Sequence, residues 1–265
     1  MSSGVKIVPR PSHERGGADH GWLKTFHTFS FASYGDRTHQ KHGALRVINE
    51  DRVAPNTGFG THGHQEFEIF SYVVSGQLAH QDSMGNTEVL SRGALQLTSA
   101  GTGILHSEKA HGPAEVHFLQ IWSFPSTPRL QPKYYTRNFS DAEKTDKWAR
   151  VVAPVGSPGV SEAREAEGPA PVHSPLTMYA TLLSKGRTVA QAMSGTKGYI
   201  HVVQTSGYNT GKATGATVKF KAGDQQLELR EGDGAYLHFP PGGTDVAVEN
   251  AGDRTAEIVL FDLQE

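Results

Sequence analysis

No cysteine occurs among the 265 residues, which excludes disulfide staples and thiolate metal ligands and fits a reducing compartment. Charge of one sign is not in excess either: 25 Lys and Arg stand against 27 Asp and Glu, a formal net charge of −2 with His neutral. A chain so balanced has no basic stripe for a nucleic-acid backbone, so direct nucleic-acid binding is not expected. Long apolar runs are missing as well. No stretch approaches the roughly 20 residues that span a bilayer. The opening Met1-Ser2-Ser3-Gly4-Val5-Lys6-Ile7-Val8-Pro9-Arg10 holds no apolar segment of signal-peptide length. The expectation is a soluble intracellular protein, cytoplasmic or nuclear, without a membrane partner.

What the chain does have is turn chemistry and histidine: 30 Gly, 14 Pro and 14 His. Glycine-rich turns separate short β-prone runs, and strands are expected at 44–49, 66–75, 77–81, 88–90, 94–98 and 114–123. The same rhythm returns at 178–183, 197–204, 216–220, 226–229, 234–239 and 257–262. Val116-His117-Phe118-Leu119-Gln120-Ile121-Trp122 is apolar at most positions and should be a central strand. The segment 123–133, with Pro125, Pro128 and Pro132, reads as a linker across the surface. Ser140-Asp141-Ala142-Glu143 has the spacing of a capping box and predicts a short helix. The stretch from Val155 to Pro171 reads as a mobile loop. The length suits two domains, with an expected division into 1–130 and 131–265.

Histidine spacing points to chemistry. His62-Gly63-His64 and His106-Ser107-Glu108 each place two metal-ligand types at i and i+2. Side chains alternate along a strand, so each pair turns to one side and both pairs can converge inside a barrel. Three imidazoles and a carboxylate, with positions left for water or substrate, suit iron(II), manganese, nickel, copper or zinc better than calcium or magnesium. In the second half His173, His201 and His238 stand alone, without a His or Glu two residues away. One divalent metal in the first domain is therefore expected, and none in the second.

Two such strands, each led in by glycine turns, look like the two halves of a cupin motif. The resemblance narrows to the pirin family, carried by His20-Gly21-Trp22-Leu23, His27-Thr28-Phe29-Ser30-Phe31, Leu45-Arg46-Val47-Ile48-Asn49-Glu50-Asp51, His80-Gln81-Asp82-Ser83-Met84-Gly85-Asn86 and Ser99-Ala100-Gly101-Thr102-Gly103-Ile104-Leu105-His106-Ser107-Glu108. It implies an all-β fold of two cupin-type barrels with a few short helices, the second a degenerate cupin without metal ligands. It also implies His62, His64, His106 and Glu108 as ligands of one iron(II). Where pirins commonly read His-Pro-His-Arg, this chain has His62-Gly63-His64-Gln65, so a positive charge beside the site is missing.

The resemblance further implies quercetin 2,3-dioxygenase activity, in which a flavonol and O₂ give a ring-opened product and carbon monoxide, with Glu108 the candidate base. The alternatives are a redox-sensing nuclear co-regulator that presents an iron-dependent surface to a transcription factor, and a metal enzyme acting on another small aromatic substrate. Glu68 is in phase with His62 and His64. It is expected to accept a hydrogen bond from a ligand imidazole, with direct metal contact as the alternative. His80 is read as part of a solvated turn, with substrate orientation as the alternative. Trp22, Phe29 and Phe31 are expected to pack in apolar surroundings.

Overall fold

The computed structural model describes residues 4–264. Among them nearly all regular structure is β-strand; the single α-helix is the four-residue Asp141–Lys144, where the capping pattern places it. The fold is all-β, and the chain divides into two compact units that are discontinuous in sequence.

One unit comprises Gly16–Ser140 and Val152–Pro175. Its larger sheet runs in the order Lys133–Asn138, Ala94–Ser99, Glu68–Ser75, Val116–Ser123, Leu45–Val53, Leu23–His27 and Gly16–Asp19. Val116–Ser123 lies in the middle of this sheet, as its apolar composition predicts. A smaller sheet has the order Gly58–His64, Ile104–Ala110, Leu78–Asp82 and Thr87–Leu90. Along the inward face of the larger sheet three zones follow one another at two-residue steps. Val73 and Phe118 belong to an apolar cluster with Leu23, Val53, Leu78, Leu90, Ala94, Ala110 and Val116. Ser71, Gln96 and Gln120 form the next row, since Gln120 pairs with Ser71 and Ser71 with Gln96. Ile69 then joins Ala100, Ile104, Phe67 and Trp122 in a second apolar cluster. Each fully buried aliphatic or Phe side chain contributes roughly 1.5–3 kcal/mol, so the two apolar zones hold the barrel around a polar middle.

Two stretches are more tightly tied than their composition suggests. The proline-rich segment after Ser123 is irregular, yet Thr102 donates its backbone N–H to the Leu130 carbonyl at 2.9 Å. Gly101 is required there: its φ is +46°, and a Cβ would lie 2.0 Å from the Leu130 oxygen. The chain then continues as the unexpected strand Lys133–Asn138, paired with Ala94–Ser99. The segment expected to be mobile is gripped by Arg137, which is 3% exposed. Its guanidinium donates to the carbonyls of Ser161, Ala163 and Arg164 at 2.6, 3.2 and 3.1 Å. Arg164 in turn pairs with Glu88.

The other unit comprises the chain through Arg15, Asp141–Val151 and everything from Leu176 on. Its larger sheet runs Lys6–Arg10, Gly234–His238, Lys197–Val202, Ala256–Leu263, Leu176–Leu183 and Ala149–Pro154. The last three residues of Ala149–Pro154 belong to the first unit and pair there, in parallel, with Ala170–Val172. The smaller sheet runs Thr188–Met193, Thr244–Asn250, Thr217–Ala222 and Gln225–Arg230. Val202, Phe220, Leu237, Val248, Ile258 and Leu260 are among its core residues. A single cut near residue 130 does not separate the units. The N-terminal strand takes its hydrogen bonds from Gly234–His238, with Lys6 opposite His238 and Arg10 opposite Gly234.

Candidate metal centre

The strand Gly58–His64 pairs antiparallel with Ile104–Ala110, placing His106 opposite His62 and Ile104 opposite His64. Alternation then turns the three imidazoles to one side. Their ring centroids are 4.6 Å (His62 to His106), 4.7 Å (His62 to His64) and 4.8 Å (His64 to His106) apart. The Nε2 atoms of His62 and His106 face each other at 3.2 Å. Two nitrogens bound to one first-row metal at about 2.0–2.1 Å would be separated by roughly 3.0–3.4 Å, so this pair is spaced to share an ion. His62 Nδ1 lies 2.7 Å from the Gly60 carbonyl. A carbonyl only accepts, so Nδ1 carries the proton and Nε2 presents its lone pair.

The three rings grade from exposed (His62) through half-buried (His64) to buried (His106). Burial, then the neighbouring His106 and His62, depresses His64 to about 4. Burial, then His62 and His80, depresses His106 to about 3. Both rings are neutral at physiological pH and able to ligate. His106 Nδ1 is buried without a protein partner, a polar atom left for something the protein itself does not supply.

Glu108 follows His106 by two residues but is not simply its neighbour on a regular ladder. The register shifts between His106 and Glu108, so that Glu108 lies opposite Phe59. Such a bulge re-aims a side chain. Gly58 accommodates the close approach, since a Cβ there would sit 2.3 Å from the Glu108 carbonyl oxygen. The Glu108 carboxylate, 1% exposed, meets the polar middle row. Gln120 Nε2 donates to Oε2 at 2.9 Å, Ser71 Oγ lies 3.2 Å from Oε1, and Gln96 Nε2 donates to Oε1. These three residues were not singled out from the sequence. The signal was a polar side chain in the inward phase of an otherwise apolar strand.

His80 is not in a solvated turn. It is 1% exposed on the strand Leu78–Asp82, directly opposite Glu108, and Asp82 is opposite His106. His80 Nε2 lies 3.2 Å from Asp82 Oδ2, and its Nδ1 lies 4.0 Å from Glu108 Oε1. The Tyr134 ring stacks on the imidazole at 4.8 Å. Glu68 does not join the group. Ile69 and Ser71 face inward, so Glu68 turns to the opposite face, where it accepts from Ser99 Oγ at 2.6 Å and the His173 backbone N–H at 3.1 Å. It neither touches the imidazoles nor supports one.

Two groups of potential ligands thus share His106: His62, His64 and His106, and His80, His106 and Glu108, each with its ligand atoms within 4.8 Å of one another. The donor set and the 3.2 Å nitrogen pair fit a first-row transition metal. A cavity of about 480 Å³ opens beside His64, lined also by Gly63, Gln65, Ser83, Gly103, Ile104 and Leu105. Aromatic rings back the site: Trp122 is 4.8 Å from His64, with Phe31 and Phe67 at 5.4 and 5.2 Å from Trp122. Trp22 packs edge-on against Phe59 at 5.3 Å, and Phe29 is buried.

The chain is similar to several known proteins. Residues 9–123 match the family model described as Pirin. The quercetin 2,3-dioxygenase of Escherichia coli K12 is 36% identical over 259 residues, covering 97% of this chain and 98% of the relative. A pirin-like protein of Caulobacter vibrioides is 35% identical over 221 residues, covering 82% and 92%. Among solved structures, the bacterial pirin YhhW of Escherichia coli in complex with nickel(II) superposes with a TM-score of 0.80 at 32% identity, covering 98% and 99%. Oxalate decarboxylase of Bacillus subtilis shares the fold alone, with a TM-score of 0.58 at 11% identity over 97% of this chain and 77% of that one.

Proposed function

The chain belongs to the pirin family, and on that premise we propose that it is a metal-dependent dioxygenase of the quercetin 2,3-dioxygenase type. In this reading His62, His64, His106 and Glu108 hold one iron(II), and Glu108 is the base. The observation that carries the proposal is the convergence of the His62, His64 and His106 rings, the third of which shares a second ligand group with the buried Glu108 carboxylate. Full-length similarity to a protein named quercetin 2,3-dioxygenase supports the choice of reaction.

Iron(II), when bound, would supply Lewis-acid stabilisation of an enolate and the redox partner for O₂. The protein's own groups do the rest. Gly60 holds the His62 tautomer, and burial keeps His64 and His106 unprotonated, so the lone pairs are ready without deprotonation. Glu108 takes the proton of the flavonol 3-hydroxyl, the step that makes the ring electron-rich enough to react with O₂. Gln120, Gln96 and Ser71 fix the carboxylate's orientation and limit its movement to the side facing the imidazoles. The cavity beside His64 has the size of a small-molecule site, and Trp122, packed on the His64 ring, places an aromatic face next to the imidazoles. Gln65 at its lining brings a neutral polar group. Overall, one flavonol and one O₂ give a ring-opened ester and one carbon monoxide.

The test is anaerobic reconstitution with iron(II), then admission of O₂ and quercetin. Loss of quercetin with one carbon monoxide released per substrate, dependent on added metal and abolished by His106→Ala, is the expected result. Stoichiometrically loaded protein that consumes no quercetin and releases no carbon monoxide overturns the proposal.

A further inference from the structure

The second ligand group has a use of its own. We propose that the barrel interior contains a second divalent-cation position, formed by His80 Nδ1 and the Glu108 carboxylate with His106 at its edge, deeper than the His62–His64–His106 position. It rests on the reading of this cavity as a metal centre, but not on the flavonol reaction.

His80 is prepared as a ligand. The Asp82 carboxylate only accepts, so the proton on His80 Nε2 is directed to it at 3.2 Å, which leaves Nδ1 as the ring atom turned to the barrel interior. A carboxylate behind an imidazole is the arrangement that orients metal-ligating histidines and raises their basicity. Asp82 is itself fixed as an anion. Burial would raise its carboxyl, but hydrogen bonds from Asn86, His80 and the Met84 backbone outweigh this and hold it below the usual range. Tyr134, stacked on the ring, sets the imidazole plane.

His80 Nδ1 is buried and has no protein partner, and the polar atom it faces is Glu108 Oε1 at 4.0 Å. At that distance no hydrogen bond joins them, so both atoms are open to a cation placed between them. Ligand atoms bound at about 2.0–2.2 Å to one ion stand roughly 3–4.2 Å apart, which includes the observed separation. Charge points the same way: the hydrogen-bond donors to Glu108 are the neutral Ser71, Gln96 and Gln120. All three groups, His80, His106 and Glu108, are buried, whereas the outer position begins at the exposed His62. The inner ion would fill second and leave slowly.

The probe is cobalt(II) alone, titrated into chelator-stripped full-length protein, with bound ions counted by equilibrium dialysis and the visible spectrum reporting coordination. Wild type is expected to bind a first equivalent tightly and a second more weakly. His80→Asn should keep the first and lose the second. Asp82→Asn, which removes no ligand, should weaken the second by about 10–100-fold, the usual effect of losing the carboxylate behind a ligating imidazole. Retention of the first equivalent shows that each variant is folded. Anomalous diffraction from wild-type crystals in excess cobalt gives an independent reading. Density within bonding distance of both His80 Nδ1 and Glu108 supports the position, while an ordered water there, or extra cobalt only at surface histidines, overturns it. Saturation at one ion, or two ions in His80→Asn, also overturns it. A one-ion protein that still oxidises quercetin would remove the inner position and leave the proposed function standing.

Discussion

Replacing Glu108 by Gln separates its two proposed duties, ligand and base. The carboxylate accepts on both oxygens: from Gln120 Nε2 at 2.9 Å on Oε2, and from Gln96 Nε2 with Ser71 nearby on Oε1. An amide keeps one of these acceptors and turns the other into a donor facing a donor, until Gln120 or Gln96 rotates its own amide. One buried hydrogen bond put out of register costs roughly 1–3 kcal/mol. Removal of a buried charge whose hydrogen-bond partners are all neutral offsets it. The metal-free variant should therefore melt near or above wild type. Metal affinity should fall by about 10²-fold, equivalent to roughly 2.7 kcal/mol, because an amide oxygen remains but the charge is gone. Turnover per bound metal should fall much further, by about 10²–10⁴-fold, the contribution of a positioned general base. Iron content and quercetin consumption must be measured on the same preparations. Near-parental turnover per iron would refute the base assignment and move attention to the other interior carboxyls, Asp82 and Asp51.

His106→Ala should lose metal and activity together. Without metal it should become more stable relative to wild type as pH falls from about 6.5 towards 3: the folded-state pKa of about 3 lies below the roughly 6.5 of an unfolded His, so the unfolded chain takes up the proton first. Thermal melts of both proteins across that window check this, and a constant difference contradicts it. Asp51 has the opposite sign. Burial, with Glu108 and Glu50 adding and the Thr25 hydrogen bond opposing, pushes its carboxyl up to about 7. Stability linked to it is present below about pH 4 and is lost as pH rises through about 7. Asp51→Asn should thus stabilise the metal-free protein by roughly 2–4 kcal/mol above neutrality and little near pH 4; equal denaturation midpoints for the two proteins at pH 8 would contradict the buried-carboxyl argument. Arg137→Met removes the donors to the carbonyls of Ser161, Ala163 and Arg164. Limited proteolysis should then cut the 155–169 segment faster, and an unchanged cleavage rate would show that Arg137 does not hold it.

The parts of the fold legible in the sequence were those governed by local pattern. Alternation and turn residues located the strands around Glu68–Ser75, Ala94–Ser99 and Val116–Ser123, and the i, i+2 spacing singled out His62, His64, His106 and Glu108, which lie in two potential ligand groups that share His106. What escaped depends on which strands pair. Lys6–Arg10 pairs with Gly234–His238, more than 200 residues further along the chain, and no local signal carries that information. Lys133–Asn138 follows a proline-rich segment, whose turn composition masked the strand. Glu68 was misplaced because its spacing from His64 was counted along a continuous strand. The chain instead breaks between Gly58–His64 and Glu68–Ser75, and Glu66 adopts φ +56°. His80 and Asp82 have the same i, i+2 spacing as His106 and Glu108, so their signal was present. It was hidden by Ser83-Met84-Gly85-Asn86, whose turn character was extended three residues too far back, to His80.

The most direct test of the central claim is anomalous diffraction at the iron edge from crystals of protein loaded anaerobically with one equivalent of iron(II). The account predicts a single peak within bonding distance of His62 Nε2, His64, His106 Nε2 and the Glu108 carboxylate, and no peak in the other unit, the one that contains Lys6–Arg10 and Leu176–Leu183. A peak away from His62 and His64, or full iron occupancy retained in His62→Ala/His64→Ala protein at the same loading, would contradict it.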